Sequence, residues 1–311
     1  MSSPASNVYQ FGVKWKLTIT TTDGTVITAL QNGWLPEGLQ ITFDTYQTTQ
    51  AAFWYADIAI YNLNNPTSQA VLKQGMLVEL EAGYQTGPYG TIFQGTLFQP
   101  MWERIEGIDY KLTLHCLVGL VEETNNFVAL SVANGLSQRD LVARMASNCI
   151  YKLDSSNVNF EKEQTSSRGE VIFGQPGKYF KDLADFNGIN YWASHYAANI
   201  RALLPQQTNV PTLEYSPTAG LIGTPQQTQD GVDIRVNLDA RATLATQYKL
   251  TPDTTIRQLP RTQGSYPTIL DQNGLYVIAG VRHIGDSRGN VWDTYITGYT
   301  YIGSRLALLN P

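Results

Sequence analysis

The chain has 311 residues, of which 42% are hydrophobic and only 15% charged, with a net charge of −5. Soluble domains average about 25% charged residues; here Thr, Gln, Asn, Ser and Tyr fill the deficit, suiting strands that are covered in an assembly and wet outside it. The acidic balance excludes the clustered Lys and Arg of a phosphate-backbone binder, but is compatible with a tunnel that nucleic acid passes without sticking.

The N-terminus, MSSPASNVYQFGVKWK, lacks the basic start and apolar run of a secretory signal. No window along the chain reaches about 18 uninterrupted apolar residues, so a soluble protein without a membrane anchor is expected. Residues 8–120 read as short strands separated by turns. Val13–Ile19 alternates, and Asp23-Gly24 marks a tight hairpin turn. LQITFDTY puts Leu39, Ile41 and Phe43 on one face with Thr42 and Asp44 on the other. WYADIAIYNL, GMLVELEAGY, GTIFQGTLF and IDYKLTLHCLVG follow. In the last, Leu112 and Leu114 share one face, and Lys111, Thr113 and His115 the other. This rhythm predicts an antiparallel barrel or sandwich.

After Leu120 the pattern changes. Ser137-Gln138-Arg139-Asp140 resembles a capping box, and Leu141, Val142, Met145, Cys149 and Ile150 follow at helical spacing. A second helix is predicted from Lys178 to Asn187, ended by Gly188, with further strand over Ile189–Leu204. From about residue 212 strands return as GVDIRVNL, ATQYKL, LYVIAGVRHI and WDTYITGYTYI. The returning segments suggest an internal repeat. ADIAIYNLN resembles VDIRVNLD, LVEL matches QYKL, and FQGTLF…IDYKLTLH is echoed by IAGVRHIGD…WDTYITGY. The register of the first pair is open to one residue, which would exchange the strand's two faces.

Candidate chemistry is sparse. Gly220–Thr228 has the glycines and hydroxyls of a phosphate loop, but it lacks a lysine and leads into an alternating strand rather than a helix N-terminus. It is read as a turn. His115, His195 and His283 stand alone, without metal-ligand spacing. His115 and Cys116 are neighbours on a strand and point to opposite faces. Cys116 and Cys149, the only cysteines, sit in no CxxC pair and are read as reduced and packed. Glu79, Glu81, Glu103 and Glu106 could supply a glycosidase pair, but Glu79 and Glu81 share one strand face that reads as a solvated edge or an interface. No GxSxG occurs, and Cys149 ends a predicted helix instead of starting one. Trp15, Trp34, Trp54, Trp102, Trp192 and Trp292 are spread along the chain, as core or interface residues would be. No catalytic, cofactor-binding or metal-binding residue is assigned, and no cofactor is expected.

Several segments together resemble the central baseplate hub proteins of contractile-tailed bacteriophages. They are LQITFDTYQTTQAAFWYADIAIYNLN, GMLVELEAGY and GTIFQGTLFQPMWERIEGIDYKLTLHC; then GKYFKDLADFNGINYW; then GLIGTPQQTQDGVDIRVNLDA and GLYVIAGVRHIGDSRGNVWDTYITGY. The likeness covers about 35–120 and 170–300. It implies a mainly β fold with a small α+β portion: a first tube-type β-barrel domain over 1–120, a small α+β domain over 121–205, and a second, related barrel over 206–311. It further implies a non-enzymatic homotrimer forming a pseudo-hexameric ring between the six-fold tail tube protein and the three-fold central spike protein. Tape measure and baseplate wedge proteins would be further partners, and DNA would only pass through the channel. Such a protein is assembled in the host cytoplasm and resides in the virion tail. One face each of Asp57–Leu63 and Asp233–Leu238 is expected to line the channel or the adjoining ring. The chain is short for such a hub, so accessory domains of larger relatives are expected to be missing or reduced. A glycan-binding β-sandwich module of a tail tip is the alternative, and a cell-wall hydrolase would need a lytic motif that the chain does not display.

Overall fold

A computed structural model describes residues 11–32, 38–49, 54–72, 77–105, 107–119, 125–160, 162–194, 197–201, 212–228, 230–257 and 274–300. The fold is mainly β. The first stretch comprises β1 (Phe11–Thr20), β2 (Val26–Asn32), β3 (Ile41–Thr48), β4 (Trp54–Tyr61), α1 (Asn65–Val71), β5 (Leu77–Thr86), β6 (Tyr89–Arg104) and β7 (Tyr110–Val118). A smaller group follows: β8 (Val128–Val132), α2 (Gln138–Asn148), β9 (Glu170–Gly174), α3 (Pro176–Asn187), β10 (Asn190–Ser194) and β11 (Ala197–Arg201). The last stretch holds β12 (Thr212–Tyr215), β13 (Leu221–Gln227), β14 (Gly231–Asn237), β15 (Gln247–Leu250), β16 (Leu275–Asp286) and β17 (Trp292–Tyr299).

The first and last stretches share one 13-stranded sheet. Within it the repeat is explicit. The order β3-β4-β7-β6-β5 recurs as β13-β14-β17-β16-β15, and every neighbouring pair in both runs is antiparallel. Each run also carries a bulge at the same joint. Between β6 and β7 the register shifts after Leu97, and between β16 and β17 it shifts after Ile278. A bulge inserts one residue and so marks a position unambiguously. Aligning the bulges matches His115 with Thr297, and through the neighbouring ladder Asp57 with Asp233. The same ladders match Leu77–Leu80 with Gln247–Leu250, residue for residue. The one-residue ambiguity in the sequence is thereby removed.

The halves differ at their margins. β1 and β2 extend the first run beyond β5, turning at Gly24 with φ 84°. In the second run β12 joins β15 in parallel, a departure from the purely antiparallel expectation. Asn64 caps α1 by accepting from the Thr67 backbone N–H at 2.9 Å. This short helix went unrecognised because its Asn-Pro start directly follows a strand. The two runs meet where β3 pairs antiparallel with Gly280–Asp286 of β16. Trp292 ties this seam together: its ring packs edge-on against Phe43 at 5.1 Å, and its indole N–H donates to the Gly83 carbonyl at 3.2 Å.

One hydrophobic core underlies both halves, with Trp15, Leu17, Ile58, Leu80, Leu114, Ile234, Tyr248 and Ile278 buried in it. The group from β8 to β11 has its own core, built on Val142, Met145, Phe180, Ala184 and Ile200, while Trp192 of β10 packs into the main one. Both helix signals read from sequence are present. The Ser137 hydroxyl accepts from the Asp140 N–H at 3.1 Å, and Gly188 ends α3 with φ 62°. One reading is corrected. Gly220–Thr228 is not merely a turn, because Leu221–Gln227 forms β13, whose register against β14 shifts between Ile222 and Gln226. Glycines with positive φ at 220 and 223 serve that irregular edge strand and obscured its alternation.

Candidate assembly surface

The sheet has one apolar face turned to the core and one polar face turned outward, and the register shows which residues share them. Ala56, Ile58 and Ile60 of β4 are buried, whereas Tyr55 and Asp57 are exposed; on β14, Val232, Ile234 and Val236 are buried, whereas Asp233 and Arg235 are exposed. Of the two stretches whose one face is expected to line the channel or the adjoining ring, Asp233–Leu238 alternates outward through Asp233 and Arg235, whereas Asp57–Leu63 opens outward through Asp57 alone before the buried residues 58–60. Ala59 is an exception, being buried.

Cross-strand neighbours extend this outer face without a break across the seam. Asp57 lies opposite Asp44 and His115, and its carboxylate is 2.6 Å from His115 Nδ1. In the second half the matching Asp233 lies opposite Thr297, whose side chain hydrogen-bonds it; though its surface is open, crowding by neighbouring groups partly desolvates the carboxyl and raises it above the usual carboxylate range. At the seam, the Arg282 guanidinium donates to both oxygens of Asp44, at 2.8 and 2.5 Å. Arg235 donates to Asp293 at 2.6 Å and lies 5.5 Å from the centre of the Tyr295 ring. Tyr46 and Tyr55 pair at 5.7 Å beside Arg282. Two-pronged Arg–carboxylate contacts hold both partners in fixed geometry. Arg282 and Arg235 are thus held by carboxylates of the same face, which leaves it poorly suited to grip a phosphate backbone.

The other singled-out residues serve structure. Thr91 donates to Glu79 at 3.1 Å and Lys16 to Glu81 at 2.9 Å, so both carboxylates are engaged by neighbours on their shared strand face. Glu103 lies 3.5 Å from Lys111. His283 is completely buried, with Nδ1 2.8 Å from the Thr294 hydroxyl, and burial lowers its pKa to about 4. Trp15, Trp54, Trp192 and Trp292 are buried, and the half-buried Trp102 stacks on Tyr110 at 5.1 Å. Those five offer no exposed platform for a sugar. Cys116 and Cys149 are free and buried, and burial pushes both thiols up, that of Cys149 to about 11. Glu106, His195 and Trp34 lie outside the described residues. Among the described residues, no group of three or more His, Cys, Asp or Glu is placed to hold a metal, and no helix is long and apolar enough to cross a membrane.

The seam ion pair and the far end of β6 were missed from sequence. Arg282 and Asp44 are 238 positions apart, and Pro100 hides the continuation of β6 because proline is uncommon inside strands.

No protein-family model and no curated protein sequence matches the chain. Solved structures do. A tail protein from Neisseria meningitidis MC58 superposes with a TM-score of 0.56 at 11% identity, covering 93% of this chain and 97% of its own. A 43 kDa tail protein of prophage MuSo2 from Shewanella oneidensis gives 0.57 at 9% identity, covering 94% and 99%. An Escherichia coli component of the type VI secretion system, itself structurally similar to the T4 bacteriophage tail proteins gp27 and gp5, gives 0.54 at 10% identity, covering 86% and 75%. At these identities the likeness establishes the fold, and the fold is that of phage tail proteins, as the sequence resemblance implied.

Proposed function

We propose that this tail-protein fold serves as the structural, non-enzymatic hub of a phage tail baseplate. Three copies form a ring in the virion tail, assembled in the host cytoplasm, that joins the six-fold tail tube to the three-fold central spike. The observation that carries this reading is the strand-for-strand repeat, including the matched bulges. Three chains with two equivalent β runs each present six similar modules to the tube and three whole chains to the spike. Head-to-tail contacts close into a ring only when the rotation per copy allows it, and a duplicated module meets that condition twice per chain.

In this reading residues 1–120 and 206–311 are the ring-forming units and 121–205 lies beside them. The polar outer face of β4 and β14 is turned to the channel or the adjoining ring. DNA passes such a channel without being retained, because the chain carries a net charge of −5 and Arg235 and Arg282 are already engaged by carboxylates. The spike and tube proteins of the same tail are the direct partners; tape measure and wedge proteins are neighbours. Co-purification tests the adaptor role: tagged protein mixed with the cognate tube and spike proteins is expected to retain both. Retention of neither contradicts the proposal.

A further inference from the structure

The matched bulges allow the two runs to be compared residue by residue. In the first run Trp102 of β6 lies opposite Leu112 of β7; at the same register the second run has His283 of β16 opposite Thr294 of β17. The fold accepts an apolar pair at this place, and the second run carries a polar one instead. Thr45 of β3, paired with His283 on its other side, is also completely buried, and its hydroxyl has no hydrogen-bond partner. Polar groups buried without full pairing cost stability, and departures from the local packing rule concentrate at functional sites.

His283 borders a cavity of about 230 Å³. The floor is buried, with Trp54 and Ala242 beside His283, and the mouth is formed by the exposed Thr91, Gln94 and Thr243. Both runs contribute to the wall, and Ser194 of β10 adds a residue from the small α+β group. The hydrogen bonds around His283 fix what it can offer there. The Thr294 hydroxyl oxygen accepts from the Asp239 backbone N–H at 3.0 Å and lies 2.8 Å from His283 Nδ1. Among the described residues Nδ1 is the acceptor for that hydroxyl's proton, so Thr294 donates to Nδ1 and the ring proton sits on Nε2. Nε2–H is then a donor without an acceptor among the described residues.

Gln47 supplies the complement. Its side-chain N–H donates to the Ile92 carbonyl at 3.0 Å, which leaves its side-chain oxygen as an acceptor at the same cavity. No Asp, Glu, Lys or Arg is among the described residues of the lining, and burial keeps His283 neutral at pH 7 by lowering its pKa to about 4. At the mouth Thr91 already holds the Glu79 carboxylate, which disfavours an anion further. A charged ligand would lose its hydration without gaining a counter-charge. A neutral group carrying one acceptor and one donor matches what the cavity presents.

We propose that this cavity is a binding site for a small neutral amide, whose carbonyl accepts from His283 Nε2–H and whose N–H donates to Gln47, with Trp54 and Phe93 enclosing its apolar part. This chemistry is offered equally by a free carboxamide and by the Asn or Gln side chain of a partner chain entering the mouth. The inference goes beyond the hub reading and does not rest on it.

The test uses the full chain with isotope-labelled histidine. Long-range proton–nitrogen NMR distinguishes the two ring tautomers, and His283→Gln identifies the His283 signals among those of His115 and His195. Benzamide is the probe; benzoate, of the same shape but charged, is the control. His283 is expected in the Nε2–H tautomer, its Nε2 signal is expected to shift saturably with benzamide, and benzoate is expected to bind at least about tenfold more weakly. An Nδ1–H tautomer, no saturable shift with benzamide, or equal binding of benzoate overturns the proposal. Thr243→Trp, at an exposed position, narrows the mouth and leaves the floor intact. It is expected to keep the His283 tautomer and to weaken benzamide about tenfold; unchanged affinity places the amide elsewhere and also overturns the site. Cognate tube or spike protein added to the benzamide complex separates the two sources. Displacement upholds the site with a partner's side chain as its occupant, and retention upholds it with a free amide.

Discussion

At the scale of single residues, His283 is the most exacting position. It is fully enclosed, hydrogen-bonded to Thr294, and its pKa is lowered by burial to about 4 from an ordinary 6.5. The unfolded chain therefore takes up a proton between those values while the folded chain stays neutral. Stability contributed by this group is present above pH 6.5 and is lost as pH falls toward 4. The loss amounts to roughly 2–3 kcal/mol by about pH 4.5. Desolvation raises the carboxyls of Asp230 and Asp233, which act with the opposite sign, so comparison with a variant is needed to isolate the histidine. Urea unfolding of wild type and His283→Gln at pH 7 and 4.5 is expected to show a clearly smaller pH loss in the variant. Equal losses would assign the pH dependence elsewhere. From sequence, a lone histidine on a strand reads as structural; that its neutral form is required depends on enclosure, which no local pattern reveals.

At the scale of elements, the two runs solve the same packing problem with different side chains. Gly298 of β17 lies against the fully buried Tyr248 of β15, whose hydroxyl donates to the Val232 carbonyl at 3.0 Å. A Cβ on Gly298 would overlap the Tyr248 phenol. At the matching places the first run has Cys116 and Val78: a larger residue on one strand and a smaller one on the other. Gly298→Ala is expected to cost about 1–3 kcal/mol through overpacking. Combined with Tyr248→Val it is expected to cost clearly less than the sum of the two single changes. A denaturation double-mutant cycle measures this, and additivity within about 0.5 kcal/mol would mean that the pair is not coupled. Individual strands were legible because Leu112 and Leu114, or Ile234 and Val236, alternate with polar neighbours. β13 was not, since two positive-φ glycines and a bulge break its alternation, and β6 was read too short at Pro100.

At the scale of the whole molecule, the duplicated run connects sequence to fold. The matches of LVEL to QYKL and ADIAI to VDIRV were visible in the chain, and the ladders align them at one register. The seam was not visible, because Arg282 and Asp44, or Trp292 and Gly83, meet across more than two hundred positions and neither pair leaves a local signature. The polar outer face was only half legible. The stretches Asp57–Leu63 and Asp233–Leu238 were picked out in the chain, but which of their residues point outward, and that Asp57 and Asp233 lie opposite His115 and Thr297, follows only from strand order and burial.

The central claim is that this doubled fold closes three copies into a six-lobed ring. End-on electron microscopy of the purified protein, alone and with its cognate tube and spike proteins, tests it most directly. Three-fold rings with a central hole and six lobes are the predicted result. Compact single particles near 34.5 kDa under both conditions would contradict it.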